Sequence, residues 1–455
     1  MRGLKTTIAL VVVLGGLFAY IYFVTWKQPE GGESAAATKQ EKVFAGLQSD
    51  KIDEIRVNSE SGDHTVLKKD KDGWKVTEPI AATAQESEAS GIANALSQLE
   101  VSRVIEDNPA NLVDYGLGAP RIEIEFKGAG DKDFKKLFIG QKTPTGSNLF
   151  AKRNDDKRVF TIPSFQEGTF NRTTFDLRDK TAIKFDRDKV DHVDVSADNK
   201  TLELAKSGGD WKLVKPLEAP ADTAAAEGLI GKVQSAQMKS IVTDHVAPAD
   251  LKKYGLDKPT ATVTLSLGSA KASLLLGGKS GDGSLYAKDA SKPVVMTIDP
   301  TLVDDFKKGP DDYRRKDLFA FRAYDATHVE LTRGKDTIAF DKVKGAKPED
   351  EDKWRITKSA GAKPADADKE KMGVFLAKLE SLRALSFADA KTKTGLDSPA
   401  LTVYAKFDDG KKEERVTFAK TGSDVYAGRP GEPGAAKVNP TEYDEVIKKL
   451  DELAK

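Results

Sequence analysis

The residues best suited to metal or proton chemistry are four histidines, His64, His192, His245 and His328, in a chain of 455 residues with no cysteine. Without cysteine there is no disulfide framework, thiolate zinc site, cysteine nucleophile or lipidated N-terminal cysteine. His192 and His328 stand at equivalent places in a long internal repeat, and Glu54 stands there in the first copy. A ligand set of Glu54, His192 and His328 has the right donor types, but three separate domains would have to converge on one ion. The simpler reading is a variable surface position on an amphipathic strand. No His-Glu-x-x-His or aspartate-dense loop occurs. No metal and no cofactor is expected.

Other chemical signals fail on spacing. Gly277-Gly278-Lys279-Ser280 resembles the tail of a phosphate loop, yet its first glycine would fall at Ser273 and the surroundings read strand–turn–strand. Asp304-Asp305 and Asp311-Asp312 offer paired carboxylates, which are common on exposed helices and turns. No Gly-x-Ser-x-Gly elbow is present. Phe170, Arg172, Phe175 and Arg178 combine the aromatic and arginine types that dominate recognition surfaces. A matching segment runs from Tyr313 to Phe319 in the next copy, so the pattern reads as aromatics plugging a core and arginines capping carboxylates. No catalytic residue is assigned, and an enzyme is not expected.

The elements that would position such groups are written three times. Trp74-Lys75-Val76, Trp211-Lys212-Leu213 and Trp354-Arg355-Ile356 are separated by 137 and 143 residues. A second phrase follows each: Gly116-Leu117 with Pro120, Gly255-Leu256 with Pro259, and Gly395-Leu396 with Pro399, spaced by 139 and 140. A third runs Leu149-Phe150-Ala151-Lys152, Leu285-Tyr286-Ala287-Lys288 and Val425-Tyr426-Ala427-Gly428. A period this long exceeds solenoid repeats and fits whole domains in tandem. Alternating residues before each tryptophan (Ile52, Ile55, Val57; Val190, Val193, Val195; His328, Val329, Leu331) predict a β-meander. Helical spacing follows at Ile92, Leu96 and Leu99, at Leu229, Val233 and Met238, and at Val374, Leu379 and Leu382. The Gly-Leu-x-x-Pro phrase stops a helix and starts new strands. Tyr443, Val446, Ile447 and Leu450 predict a closing helix in the last copy. The expected fold is α+β with mainly antiparallel sheets, in domains 47–187, 188–323 and 324–455.

Charge and the N-terminus set the location. Lys+Arg and Asp+Glu both number 72. Residues 51–187 carry 22 basic and 23 acidic side chains, and the other two copies are balanced. No segment has the basic excess of a nucleic-acid binder. Thr6 to Trp26 is uncharged over 21 residues, roughly 31 Å of helix. Arg2 and Lys5 precede it, which predicts a cytoplasmic N-terminus and an exported remainder. Tyr20, Tyr22 and Trp26 suit the exported interface. A cleaved signal peptide competes, but its apolar region is usually about 7–15 residues and ends at a small-residue site. Here Ala35-Ala36-Ala37 lies beyond Pro29 and Gly31-Gly32. The expectation is a single-pass inner-membrane anchor over residues 1–27, a tether over 28–46, and repeats in the periplasm.

The anchor, Gly73-Trp74-Lys75-Val76, Tyr115-Gly116-Leu117 with Pro120, and Tyr254-Gly255-Leu256 with Pro259 together resemble the bacterial domain of unknown function 4340 family. The third copy departs, with Thr394 in place of the tyrosine. The resemblance implies no catalytic residue. It implies a membrane-associated protein of the kind encoded beside ABC-type transport permeases and gliding-motility-like auxiliary proteins. The resulting expectation is a non-enzymatic envelope protein, an accessory or scaffold component with a permease or auxiliary envelope protein as partner. A periplasmic ligand-delivery protein and an envelope enzyme acting on glycan or peptide are the alternatives.

Overall fold

The computed structural model describes residues 41–345, 351–358, 364–389 and 391–453. The run 6–26 with Tyr20, Tyr22 and Trp26 lies outside them. Among the described residues no helix is long and apolar enough to cross a membrane. The chain divides into two compact units, residues 1–179 and 180–455.

The first unit holds one nine-stranded antiparallel sheet and the second holds two. Counted along the chain within each sheet, the strands lie in the order 4-3-2-1-6-7-8-9-5 in all three. The sheets span Ile52 to Pro163, His192 to Ile298 and Ala326 to Val438. Two meanders meet at strands 1 and 6, where alternation, shifted once near the start of strand 1 in the first and third sheets, turns apolar residues inward. Ile55 faces Phe126, Val193 faces Leu265 and Val329 faces Ala405, all buried. Burying one face of each pair sets the register, because a slip by one residue would expose every inward side chain.

Between strands 4 and 5 the chain passes from one edge of the sheet to the other, and a helix makes the crossing. These helices are Glu86–Gln98, Thr223–Gln234 and Lys369–Glu380. The first buries Ala89, Ile92, Ala93 and Leu96. Two sequence assignments need correction. Val374 is 46% exposed, and the buried face of its helix is Met372, Phe375, Leu376 and Leu379. Met238 belongs to strand Met238–Thr243, since the preceding helix ends at Gln234. The last copy ends as expected in helix Pro440–Leu453, which buries Tyr443, Val446, Leu450 and Leu453.

Each core also takes in an adjacent apolar pair ahead of its first strand, joined in the third by Phe321. Val43 and Phe44 join the first core, Ala182 and Ile183 the second, and Leu318, Phe319 and Phe321 the third. Residues 41–46 therefore pack as part of the first unit, although they read as tether, and Leu318-Phe319 opens the third core although it reads as the close of the second copy. Isolated pairs in irregular chain carry no periodicity, so sequence alone does not place them. In each copy the residue just before the pair bridges to the chain beyond the crossing helix: Lys42 with Glu100, Thr181 with Gln237, Asp317 with Arg383.

Candidate functional site

The three tryptophans are core residues, 2%, 1% and 8% exposed at Trp74, Trp211 and Trp354. Each backbone carbonyl accepts from the residue that follows strand 4, Ala84 (3.2 Å), Ala221 (3.0 Å) and Ala367 (2.8 Å). The Trp211 indole N–H donates to Glu227 on the crossing helix (2.9 Å). Burial works against the Glu227 charge, but Trp211, Lys206 and Arg187 outweigh it and hold the carboxyl below its usual range.

The glycines of the second phrase are left-handed, with φ of 66° at Gly116, 67° at Gly255 and 73° at Gly395. A Cβ at Gly116 would stand 2.9 Å from Gln141 N, and one at Gly255 2.9 Å from Gly278 N, so a side chain is excluded by space as well as by φ. Leu117 and Leu256 are buried behind them, while Leu396 is half-buried. Pro120, Pro259 and Pro399 lead into strands Ile122–Gly128, Ala261–Leu267 and Leu401–Phe407. The phrase packs on the third one: the Tyr115 ring meets Phe150 edge-on at 5.1 Å, and Tyr254 meets Tyr286 likewise at 5.1 Å. In these two copies the tyrosine carbonyl crosses a glycine of the facing strand, Gly140 or Gly277. The third copy replaces both partners of that close approach, with Thr394 for tyrosine and Ala419 at the facing strand. These repeat-defining residues are a packing device.

The position shared by Glu54, His192 and His328 lies on strand 1 of each sheet, and it is not the surface position expected from sequence, since Glu54 is buried and both histidines are half-buried. Each residue is met by groups of its own sheet. Glu54 is paired by Arg56 (3.0 Å), Lys127 (3.3 Å) and Lys68 (3.9 Å). Burial raises its pKa, but these cations prevail and its carboxyl sits below the usual range. His192 Nε2 lies 3.3 Å from Glu203 Oε1 and 3.5 Å from Asp194 Oδ1. His328 Nδ1 is 2.7 Å from Asp341 Oδ1.

The copies differ most where the closing segment meets the turn between strands 1 and 2. In the first unit that place is filled. Phe170 and Leu177 are buried in the core, and Arg172 pairs with Glu88 (2.7 Å). Thr65 and Thr174 hydroxyls lie 2.7 Å apart, the Glu60 N–H donates to Asn171 Oδ1 (3.0 Å), and Arg121 bridges Glu60 (2.7 Å) and Glu167 (2.6 Å). In the second sheet the matching residues leave a cavity of about 390 Å³. Leu202 and Pro310 stand in place of the two threonines and have no side-chain donor to join them. Val195 and Phe306 line the apolar side, with Lys200, Lys215, Lys307 and Lys308 among the polar lining. Asp198, its one lining carboxylate, pairs with Lys307 (3.1 Å). In the third sheet Arg333, at the corresponding turn, is held by Asp451 of the C-terminal helix (3.0 Å).

Two carboxyls in the third copy are pushed up by burial. Glu414 accepts the N–H groups of Ala320 (2.9 Å) and Phe321 (3.0 Å). Glu432 sits among arginines where the second sheet leads into the third. Arg429 is 2.9 Å away and Arg315 4.0 Å. Arg314, 4% exposed, donates to the Pro433 carbonyl (2.8 Å) and stacks on the Phe387 ring (3.6 Å). Each carboxylate is tied to its own backbone or arginine partners, the arrangement of a structural joint. In the closing segments Phe170 and Tyr313 pack in their cores, Arg172 pairs with Glu88, and Arg314 caps the Pro433 carbonyl.

A chain of three nine-stranded sheets of one strand order, each with a crossing helix, is a modular α+β protein. It belongs to the family described as Domain of unknown function (DUF4340), whose model matches residues 74–212 and 211–399. The first match runs from one core tryptophan to the next, so each matched unit straddles two sheets. No curated protein matches the chain. Among solved structures, a DNA polymerase sliding clamp from Pseudomonas aeruginosa with ligand aligns over 87% of this chain and 93% of that chain, at 9% identity and a TM-score of 0.16. A score that low supports nothing about fold or function.

Proposed function

We propose that the chain is a non-enzymatic protein of the bacterial envelope. It is anchored in the inner membrane through residues 6–26 and holds its three modules in the periplasm as an accessory or scaffold component. Its partner is an ABC-type permease or an auxiliary envelope protein. The observation that carries this reading is repetition, with the middle copy opened at a place the first copy fills. One strand order is built three times, and in the middle copy the cleft beside the closing segment, which is filled in the first copy, stands as a cavity of about 390 Å³. Repeated modules suit a scaffold, and the opened middle copy gives it an engagement point. The lining supports binding more than catalysis, since lysines and apolar side chains surround one ion-paired carboxylate, Asp198. A general acid–base pair needs two carboxyls with pKa values pushed apart.

Two measurements test it. A periplasm-dependent reporter fused after Lys455 is expected to be active, with the native chain in the membrane fraction. Cytoplasmic reporter behaviour, or a soluble chain beginning near residue 38, overturns the anchor. Purification of the native complex in mild detergent is expected to bring down a permease or envelope protein in fixed ratio, and a chain that purifies alone overturns the scaffold role.

A further inference from the structure

We propose that the second sheet carries a divalent transition-metal site of the zinc class, built from His192, Asp194 and Glu203. His192 and Asp194 are two residues apart on strand His192–Ala197, so both project from one face, opposite the buried Val193 and Val195. Glu203 on the neighbouring strand lies directly across from Asp194. One donor atom from each of the three lies within 4.8 Å of the other two.

The separations fit a bound ion. Two ligands on a tetrahedral zinc with bonds of about 2.0–2.1 Å sit about 3.3–3.4 Å apart. His192 Nε2 lies 3.3 Å from Glu203 Oε1 and 3.5 Å from Asp194 Oδ1. The second oxygen of Glu203 is held by Lys215 Nζ at 2.6 Å. Such an outer partner fixes a ligating carboxylate in a single-oxygen pose. One imidazole and two carboxylates form a mixed N/O set that suits zinc and its first-row neighbours, and three protein ligands leave a fourth position for water or a partner's donor.

The other two sheets show why the set is specific to this one. At the positions of His192, Asp194 and Glu203 the first sheet has Glu54, Arg56 and Val66, and the third has His328, Glu330 and Ala339. In the first sheet, arginine and lysines already neutralise the carboxylate. In the third, the histidine is committed through Nδ1 to Asp341, and Glu330 lies near Lys358 (3.8 Å). The only described group of three or more ligand-type side chains whose donors converge this closely is that of the second sheet.

The test uses the full chain in detergent, stripped with a chelator and titrated with Co²⁺ and then Zn²⁺. The expected result is one ion per chain, visible Co²⁺ bands of low-symmetry coordination, and their loss as Zn²⁺ displaces the probe. His192→Gln, Asp194→Asn and Glu203→Gln should each weaken binding at least about tenfold, while His328→Gln should leave it unchanged. Trp211 fluorescence checks that each variant is folded. If Co²⁺ gives no bands, the three residues form only an imidazolium–carboxylate cluster and the site is overturned. Binding that survives His192→Gln, or that is lost with His328→Gln, overturns it equally.

Discussion

The closing segments of the first and second copies begin alike and end differently. Both bring a phenylalanine, Phe170 or Phe306, into the core and then turn into a four-residue helix whose entry is capped, by Thr173 with Asp176 and by Gly309 with Asp312. The first then closes on the strand 1–2 turn through Thr65–Thr174, Glu60–Asn171 and the Arg121 bridge. The second reaches that turn through an exposed pair, Lys307–Asp198. The frame thus comes from apolar positions common to the copies, and the opening from two or three polar positions that are not. A repeat can be opened into a cleft without disturbing its core.

The largest expected effect probes what the copies share. Trp74→Ala should cost about 3–5 kcal/mol in the first unit, read by chemical denaturation. The transition reported by Trp211 and Trp354 should not move, because those indoles lie in other cores. A shift of both transitions would break the view that each copy has an independent core.

Next comes the closure itself. Thr65 is fully buried, so Thr65→Val should strand the Thr174 hydroxyl and cost about 1–2 kcal/mol. Leu202→Val, at the matching place, removes a single methylene beside an open cavity and no hydrogen bond, and should cost about 1 kcal/mol or less. Equal losses at the two sites would mean that the hydrogen bond does not hold the first cleft shut.

Much of this frame was legible before any coordinates. The Trp and Gly-Leu-x-x-Pro phrases mark repeated places because they rest on strong local physics, a large indole to bury and a left-handed glycine before a proline. Alternation placed strands 1 and 6. The core pairs Val43-Phe44 and Ala182-Ile183 escaped because two apolar residues in irregular chain have no period. His192 stood out as a rare residue type, but Asp194 and Glu203 did not, since their meeting depends on cross-strand register. The cavity was invisible for a related reason: it depends on what Leu202 and Pro310 fail to do across more than 100 residues of sequence.

A smaller contrast concerns pH. Lys142 and then Arg121 hold the Glu167 carboxyl below its unfolded value of 4.5. Its contribution is therefore present above about pH 4.5 and lost as the pH falls through the lower folded value. Burial pushes Glu414 the other way. The folded state binds that proton more tightly, so its contribution falls as pH rises from about 4.5 through the raised value and returns on acidification. Between about pH 6 and pH 4, Glu167→Gln should flatten the acid loss of the first unit and Glu414→Gln should steepen that of the second. Slopes that change in the same direction would contradict the assigned environments.

Least of all should stability depend on the pair at the cavity mouth. Lys307→Ala breaks an exposed ion pair and should change stability by less than about 1 kcal/mol. Any larger effect of that substitution is expected in partner capture.

The middle copy is the proposed engagement point. The most direct measurement places a photo-crosslinking amino acid at Lys200, on the cavity lining, and separately at Ser61, on the corresponding turn of the first copy, in the full chain in native membranes. A discrete adduct from Lys200 and none from Ser61 is the predicted result. Equal adducts from both positions, or an adduct from Ser61 alone, would contradict it.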